Sequence, residues 1–308
     1  MKTRQEFDNS IGKEVSLFNN ISEALQYAEI DYTVEKQPIY LEDGRQVIGN
    51  YANVRSDTNT PLSVVGERYT NLQNQDAFSF IQDLIDLYNL KLNKVGCFDE
   101  GRKVFITAMT EEPFYVLGEK YKNKMTFLNS FDGSGSVKVL YVPMREVCTN
   151  GLMLEDNRYR FQLSLQHSKS IKDKIESAKN VMRDNCDYIS FIKGTVDHLA
   201  SIRFTKKQYS AMVDKLMPIP KNASLLTEDR ALTRRADVIN AYNVKDLQNF
   251  NNTAYKAIMA VSDYESHYEP LRNTGNDYIY LQRVVTGMKL LNQVYNYIQQ
   301  ELKFKVHH

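Results

Sequence analysis

The chain has 308 residues, of which 25% are charged and 42% hydrophobic, and its formal net charge is +1 at pH 7. At roughly 150 residues per domain, this length allows one large domain or two modest ones. A net charge so close to zero excludes a global field that would attract nucleic acid or membrane. Any electrostatic site must therefore be a local patch.

Targeting and disulfide signals are also missing from the sequence. The first twenty residues have no apolar core of the signal-peptide type, and no window approaches the roughly 18 consecutive apolar residues that span a bilayer. The three cysteines, Cys97, Cys148 and Cys186, are odd in number and far apart, which argues against a disulfide framework. We therefore expect a protein of a reducing cytoplasm that binds no membrane.

Strand signals dominate the first part of the chain. Residues 21–30 are predicted to form a short helix, and residues 32–40 are predicted to pair with residues 47–54 in a hairpin. A short strand over residues 62–65 follows. Residues 74–88 carry apolar side chains at spacings of three and four, which predicts an amphipathic helix with Asn74 as its N-cap.

Two further hairpins are expected after this helix. Their strands cover residues 91–95, 103–109, 125–131 and 137–142. The Gly-rich turn in the second hairpin leads into a strand and not into a helix, so a hairpin is favoured over a phosphate loop. Pro143 is predicted to open a short helix that ends near Gly151, and residues 158–165 are predicted to form one more strand.

Helical periodicity replaces the strand signals after about residue 166. The predicted helices cover residues 170–198, 204–216, 222–241, 244–262 and 276–303. We therefore predict the α+β class. An antiparallel β-sheet with hairpins and packed helices forms residues 1–166, and a mostly helical layer that can pack on the same core forms residues 167–308.

The sequence contains no recognisable catalytic or nucleotide-binding motif. Phosphate-loop, dinucleotide-binding and nucleophile-elbow patterns are missing, and the histidines and cysteines are scattered singly without the spacing of zinc ligands. No metal and no cofactor is predicted. An enzyme stays an open alternative, in which Cys148 acts as a nucleophile with His167 as its base in a hydrolase or modifying enzyme.

Basic and aromatic residues are concentrated between residues 137 and 174. Arg158 and Arg160 alternate with Tyr159 on a predicted strand, and Lys169 and Lys172 open the next predicted helix, where cations oppose the helix dipole. A cationic strand face beside a cationic helix start can hold a phosphate backbone; the alternative is a solvated face neutralised by nearby carboxylates. The candidate nucleic-acid-binding residues are Lys138, Arg145, Arg158, Tyr159, Arg160, Lys169 and Lys172.

Several blocks of the sequence have a distinctive order. Val54–Asp57 is followed by Pro61–Gly66 and Tyr69, and Pro143–Asn150 reads Pro-Met-Arg-Glu-Val-Cys-Thr-Asn, with Gln166–Ser168 after it. These blocks resemble a family found in phages and plasmids, domain of unknown function 932, over most of the chain. In one departure, the chain has only Ile-Gly-Lys at positions 11–13 where many members carry a Trp-His-Gly-Leu-Gly-like block.

The resemblance implies a protein of a mobile element that acts on or near DNA, and it carries over no catalytic residue. The order of helix and hairpins is also compatible with ring-forming single-strand annealing proteins, a likeness at the level of fold. The leading hypothesis is a phage- or plasmid-encoded homo-oligomer that binds or anneals single-stranded DNA without sequence preference, in recombination or replication. Besides the enzyme, a protein-binding factor that counters a host defence is a further alternative.

Overall fold

The computed structural model of the protein describes residues 10–133, 136–145, 154, 162–166, 185–269 and 288–301. Antiparallel sheets form the first half of this structure and helices form the second half, so the predicted α+β class is confirmed. Buried apolar side chains from both halves belong to one continuous core.

The described strands form two antiparallel sheets. In chain order they are β1 (Lys13–Glu14), β2 (Val34–Tyr40), β3 (Gln46–Arg55), β4 (Pro61–Gly66), β5 (Leu90–Phe98), β6 (Lys103–Thr110), β7 (Phe114–Val116), β8 (Glu119–Ser130), β9 (Ser136–Arg145) and β10 (Gln162–Gln166). The main sheet has the order β1-β5-β6-β8-β9-β10, with β7 paired to one end of β8, and the small sheet has the order β2-β3-β4. The predicted hairpins are present in both sheets.

Two helices accompany the sheets and the others form the second half. In chain order they are α1 (Ile21–Tyr27), α2 (Asn74–Tyr88), α3 (Asn185–Ser201), α4 (Lys206–Leu216), α5 (Leu225–Ala241), α6 (Ala254–Asp263) and α7 (Lys289–Glu301). A π-helical turn, Tyr264–Tyr268, directly follows α6. Within the described ranges, no helix combines the length and the apolar composition needed to cross a membrane.

Helix α2 has the predicted bounds but a different cap. Its stripe of Phe78, Ile81 and Leu84 is fully buried, as the spacing predicts. The N-cap position is occupied by Gln73, and Asn74 is already helical, so the prediction of an Asn74 cap is wrong. The reason is tertiary, because the Asn74 side chain is buried and donates a hydrogen bond of 3.0 Å to the carbonyl oxygen of Ile30.

Buried amide side chains join the small sheet to the main sheet. Asn53 donates to the carbonyl oxygen of Phe131 at 3.0 Å, and Asn71 donates to Asn53 Oδ1 at 3.0 Å. Asn129, at the end of β8, donates to Asn74 Oδ1 at 3.1 Å. Because a buried polar group must be hydrogen-bonded, these residues fix how the two sheets and α2 meet. This structural role explains why polar side chains recur between residues 53 and 74.

Strand β9 extends through Pro143 to Arg145, so the helix predicted to begin at Pro143 does not begin there. Pro143 lies opposite Asn123 of β8. On its other side β9 is paired with β10 only from Ser136 to Leu140, and beyond that point it is an edge within the described sheet. A proline without an N–H donor is tolerated at an edge, which explains the extended strand.

The single helix predicted over residues 244–262 is divided in two. A 3₁₀ turn covers Lys245–Phe250, and Asn251 then adopts a φ of +51°, which interrupts the helix. A new helix, α6, starts at Ala254, because the Thr253 side chain accepts a hydrogen bond from the amide of Lys256. Because of this break, α6 has its own N-terminus at Ala254, inside the segment that was predicted as one helix.

Candidate functional site: a lysine-rich sheet face

Three lysines of β8 lie on one face of the main sheet. Lys120, Lys122 and Lys124 alternate with Tyr121 and Asn123, and successive side chains of a strand point to opposite faces. Tyr121 and Asn123 are buried, whereas the three lysines are half-exposed. Strand geometry sets the lysines about 7 Å apart. Strand β8 therefore carries a regular row of ammonium groups.

The neighbouring strands β9 and β6 add lysines to the same face. Lys138 of β9 lies opposite Leu128, which is an even number of residues from Lys124 on β8. Lys103 of β6 lies opposite Ser130, which is also an even number of residues away. Residues that pair directly across antiparallel strands share a face, so both lysines lie on the same side as the row on β8.

Strand β5 contributes two more lysines because of a bulge. Lys94 lies opposite Thr107 and Lys91 lies opposite Met109, and a register shift separates the two lysines. Met109 in turn lies opposite Lys124. In a regular strand, positions three apart would point to opposite faces; the extra residue of the bulge brings both lysines to the same side.

We call this set the lysine face; its members are Lys91, Lys94, Lys103, Lys120, Lys122, Lys124 and Lys138. Among the described carboxylates, Glu111 Oε1 lies 2.5 Å from the ammonium of Lys91 and Asp132 Oδ2 lies 2.8 Å from that of Lys103. Lys94, Lys120, Lys122 and Lys124 also interact with other residues of the chain. Burial lowers the pKa of Lys103 although Asp132 opposes the effect. The lysine face gathers positive charge that is invisible in the net charge of +1.

Arg145 lies on the opposite face of the sheet from Lys138. It is paired with Tyr121, and it lies seven positions after Lys138 on an uninterrupted strand, an odd number that puts the two side chains on opposite faces. Its side chain is 2% exposed, and its Nη2 lies 2.6 Å from Glu119 Oε2. The guanidinium also lies 5.2 Å from the ring centroid of Phe250. The prediction that Arg145 and Lys138 share one accessible wall is therefore wrong; Arg145 joins β9 to the helical layer.

The helical layer packs on the face that holds Arg145. The hydroxyl groups of Tyr121 in β8 and Tyr255 in α6 are hydrogen-bonded to each other in the core. Burial raises the pKa of Tyr255 well above its ordinary value, and the hydroxyl of Tyr121 adds to this effect. The lysine face and the described helical contacts thus lie on opposite sides of the sheet.

The remaining sequence-based candidates are not part of the described structure. Outside the described residues lie Arg158, Tyr159, Arg160, Lys169, Lys172, Cys148 and His167. Their predicted roles stay predictions. Among the residues that the structure does describe, no three His, Cys, Asp or Glu side chains are grouped so that they could hold a metal ion.

The lysine face was missed in the sequence although part of its signal is present there. Lys120, Lys122 and Lys124 alternate with less polar residues, which is the period of a strand with one polar face. The predicted strand began only at Met125, so the alternation was not used. Lys91 and Lys94 gave no comparable signal, because a bulge decides their common orientation.

Comparison with known families agrees with the resemblance of the sequence blocks. A family model described as "Domain of unknown function (DUF932)" matches residues 61–285. The chain belongs to this family. No curated protein and no solved structure matches the chain. The matched range includes every member of the lysine face, so that face is built from the family's own region of the chain.

Proposed function

We propose that this DUF932 protein binds the phosphate backbone of single-stranded DNA through its lysine face, without sequence preference, in recombination or replication of a phage or plasmid. The observation that carries the proposal is the placement of seven lysines on one side of the main sheet. The sequence-based hypothesis of DNA binding is kept, but its contact residues are revised to the members of this set other than Lys103, which is buried against Asp132. The candidates outside the described residues, Arg158, Tyr159, Arg160, Lys169 and Lys172, stay part of the hypothesis.

The chemistry of lysine favours contact with the backbone over contact with the bases. An ammonium group is a compact point charge that reads phosphate and discriminates little between bases. Phe105 and Phe98, on the same side of the sheet, are buried and offer no stacking platform. Binding of this kind depends on the release of counterions and weakens steeply with salt.

The test removes the row on β8 and measures binding to a labelled oligothymidylate by fluorescence anisotropy at several salt concentrations. The variant Lys120→Gln/Lys122→Gln/Lys124→Gln is expected to reduce the log–log salt slope by about 2, since each phosphate of a single strand that a lysine neutralises adds roughly 0.7 to that slope. The matched control is Lys221→Gln/Lys245→Gln/Lys289→Gln, which removes equal charge from exposed positions in the helical layer.

Two results would count against the lysine face. The first is a wild-type protein that does not bind the oligonucleotide even at about 50 mM salt. The second is a control variant whose affinity and slope fall as much as those of the β8 variant. Circular dichroism of both variants checks that the fold is kept, and native mass measurement with and without oligonucleotide tests the predicted homo-oligomer. The enzyme and host-defence alternatives stay predictions.

A further inference from the structure

Two helices of the helical layer start side by side. The amide of Phe204 donates to the carbonyl oxygen of Asn252 at 2.8 Å, and the amide of Ala254 donates to the carbonyl oxygen of Ile202 at 3.0 Å. These bonds hold the turn before α4 against the turn before α6. The segments that lead into the two helices, which are distant in sequence, therefore lie beside each other in the fold.

Both helix starts are positively charged in a way that helices normally avoid. Thr205 and Thr253 cap α4 and α6, but neither helix has an acidic residue in its first turn. Lys206 and Lys207 open α4 instead, and Lys256 lies in the first turn of α6. The first turn of a helix carries the positive end of the helix dipole. Lysine ammonium groups at this position are therefore repelled by the dipole.

Lys256 belongs to the buried residues, and no carboxylate of the described part of the chain is paired with it. Its side chain belongs to a residue that is 9% exposed, and it makes no ion pair or hydrogen bond with any residue of the described structure. Its Nζ lies 4.7 Å from the ring centroid of Tyr242. Burial lowers the pKa of Lys256, and the nearby charge of Lys206 lowers it further. A buried charge is costly unless it is paired.

Lys103, which is also buried among the described residues, has a partner that is not found beside Lys256. Lys103, which is 4% exposed, has Asp132 Oδ2 at 2.8 Å from its ammonium group. At Lys256 the corresponding neighbour is a second lysine, Lys206. Among the described residues, no carboxylate takes the place beside Lys256 that Asp132 takes beside Lys103, and an anion from solution can occupy it.

We infer that the ammonium groups of Lys256, Lys206 and Lys207, at the starts of α4 and α6, bind a phosphate group. The phosphate belongs either to a free small molecule such as a nucleotide or to a nucleic-acid backbone. A phosphate carries enough charge and oxygen acceptors to engage several cations and amides at once, and a helix N-terminus suits it. The site lies in the helical layer and does not depend on the lysine face.

The test compares thermal unfolding in sodium phosphate with unfolding in sodium chloride of the same ionic strength. For the wild-type protein we expect Tm to rise by about 3 °C at a phosphate concentration of ten times Kd. Lys256→Met keeps the length of the side chain without its charge. We expect it to abolish the response to phosphate, since the charge that would hold the anion is removed.

A second variant keeps the test valid if Lys256→Met does not fold. Lys206→Gln/Lys207→Gln changes only exposed side chains and is expected to weaken phosphate binding by about tenfold. The matched control, Lys221→Gln/Lys289→Gln, removes the same charge from exposed positions and is expected to respond like the wild type. Equal responses of all these variants would overturn the inference, as would a wild type that does not respond to about 50 mM phosphate.

Two further ligands distinguish the sources of the phosphate. The site is assigned to a nucleotide if deoxyadenosine monophosphate binds more tightly than inorganic phosphate and if its binding weakens in Lys206→Gln/Lys207→Gln. A loss of oligonucleotide affinity in the same variant, without tighter binding of the mononucleotide, assigns it to a nucleic-acid backbone. Since the β8 variant leaves this site intact, failure here and failure of the lysine face are separate results.

Discussion

The buried ion pair of Arg145 and Glu119 gives the sharpest test of whether Arg145 is structural. The Nε of Arg145 lies 2.8 Å from Glu119 Oε2, and the arginine side chain is 2% exposed. Glu119→Gln therefore removes a counter-charge from a guanidinium in the interior. Loss of one partner of a buried pair costs about 3–5 kcal/mol, and because Glu119 is 17% exposed we expect about 3 kcal/mol.

The assay is urea denaturation followed by far-ultraviolet circular dichroism, since the chain has no tryptophan. Arg145→Met removes the charge and leaves only the polar Glu119, which can turn toward water. We expect it to be less destabilising than Glu119→Gln. The double variant should be more stable than the sum of the single effects predicts, with a coupling energy of about 2 kcal/mol.

Two results would refute this reasoning. One is a change of less than about 0.5 kcal/mol in the unfolding free energy of Glu119→Gln, which is the range of ordinary surface substitutions. The other concerns DNA binding by Arg145→Met under conditions in which it is folded. A structural role predicts the wild-type salt slope, whereas a direct phosphate contact predicts a slope reduced by about 0.7.

Two further predictions concern backbone packing and pH. Gly12 and Gly44 both have positive φ, but of the two only Gly12 is close to another group, since an added Cβ would lie 2.8 Å from Phe105 Cζ. In urea denaturation we expect the unfolding free energy to fall by about 3 kcal/mol for Gly12→Ala and by about 1 kcal/mol for Gly44→Ala. Equal losses for the two variants would contradict this contact. Arg55 lowers the pKa of Asp57 below 3.8, so the unfolded state binds more protons there, and the stabilisation is present above pH 3.8 and lost as pH falls through the folded-state pKa. The stability difference between wild type and Asp57→Asn should therefore shrink in that acidic range, and a difference that is constant from pH 6 to pH 2.5 would show that the pair is not linked to pH.

Local patterns were sufficient for much of the fold. The stripe of α2 and the turn residues between β2 and β3 identify these elements because short-range periodicity and turn chemistry decide them. Pro143 was misassigned for the opposite reason. A proline suits both the first turn of a helix and an edge strand. Only strand pairing shows that, among the described residues, β9 has no partner on its β10 side at that point.

By itself the sequence determined the α+β class, the family resemblance and the alternating lysines at 120, 122 and 124, because each of these depends on residues close together in the chain. Tertiary structure alone decided which lysines share a face. Strand pairing and a bulge bring Lys91 and Lys94 to the same face as the row on β8. Arg145 is an odd number of positions from Lys138 on β9, so it lies on the opposite face of the sheet. Tertiary structure also brought Lys206 near Lys256, since hydrogen bonds between two distant turns join the helix starts.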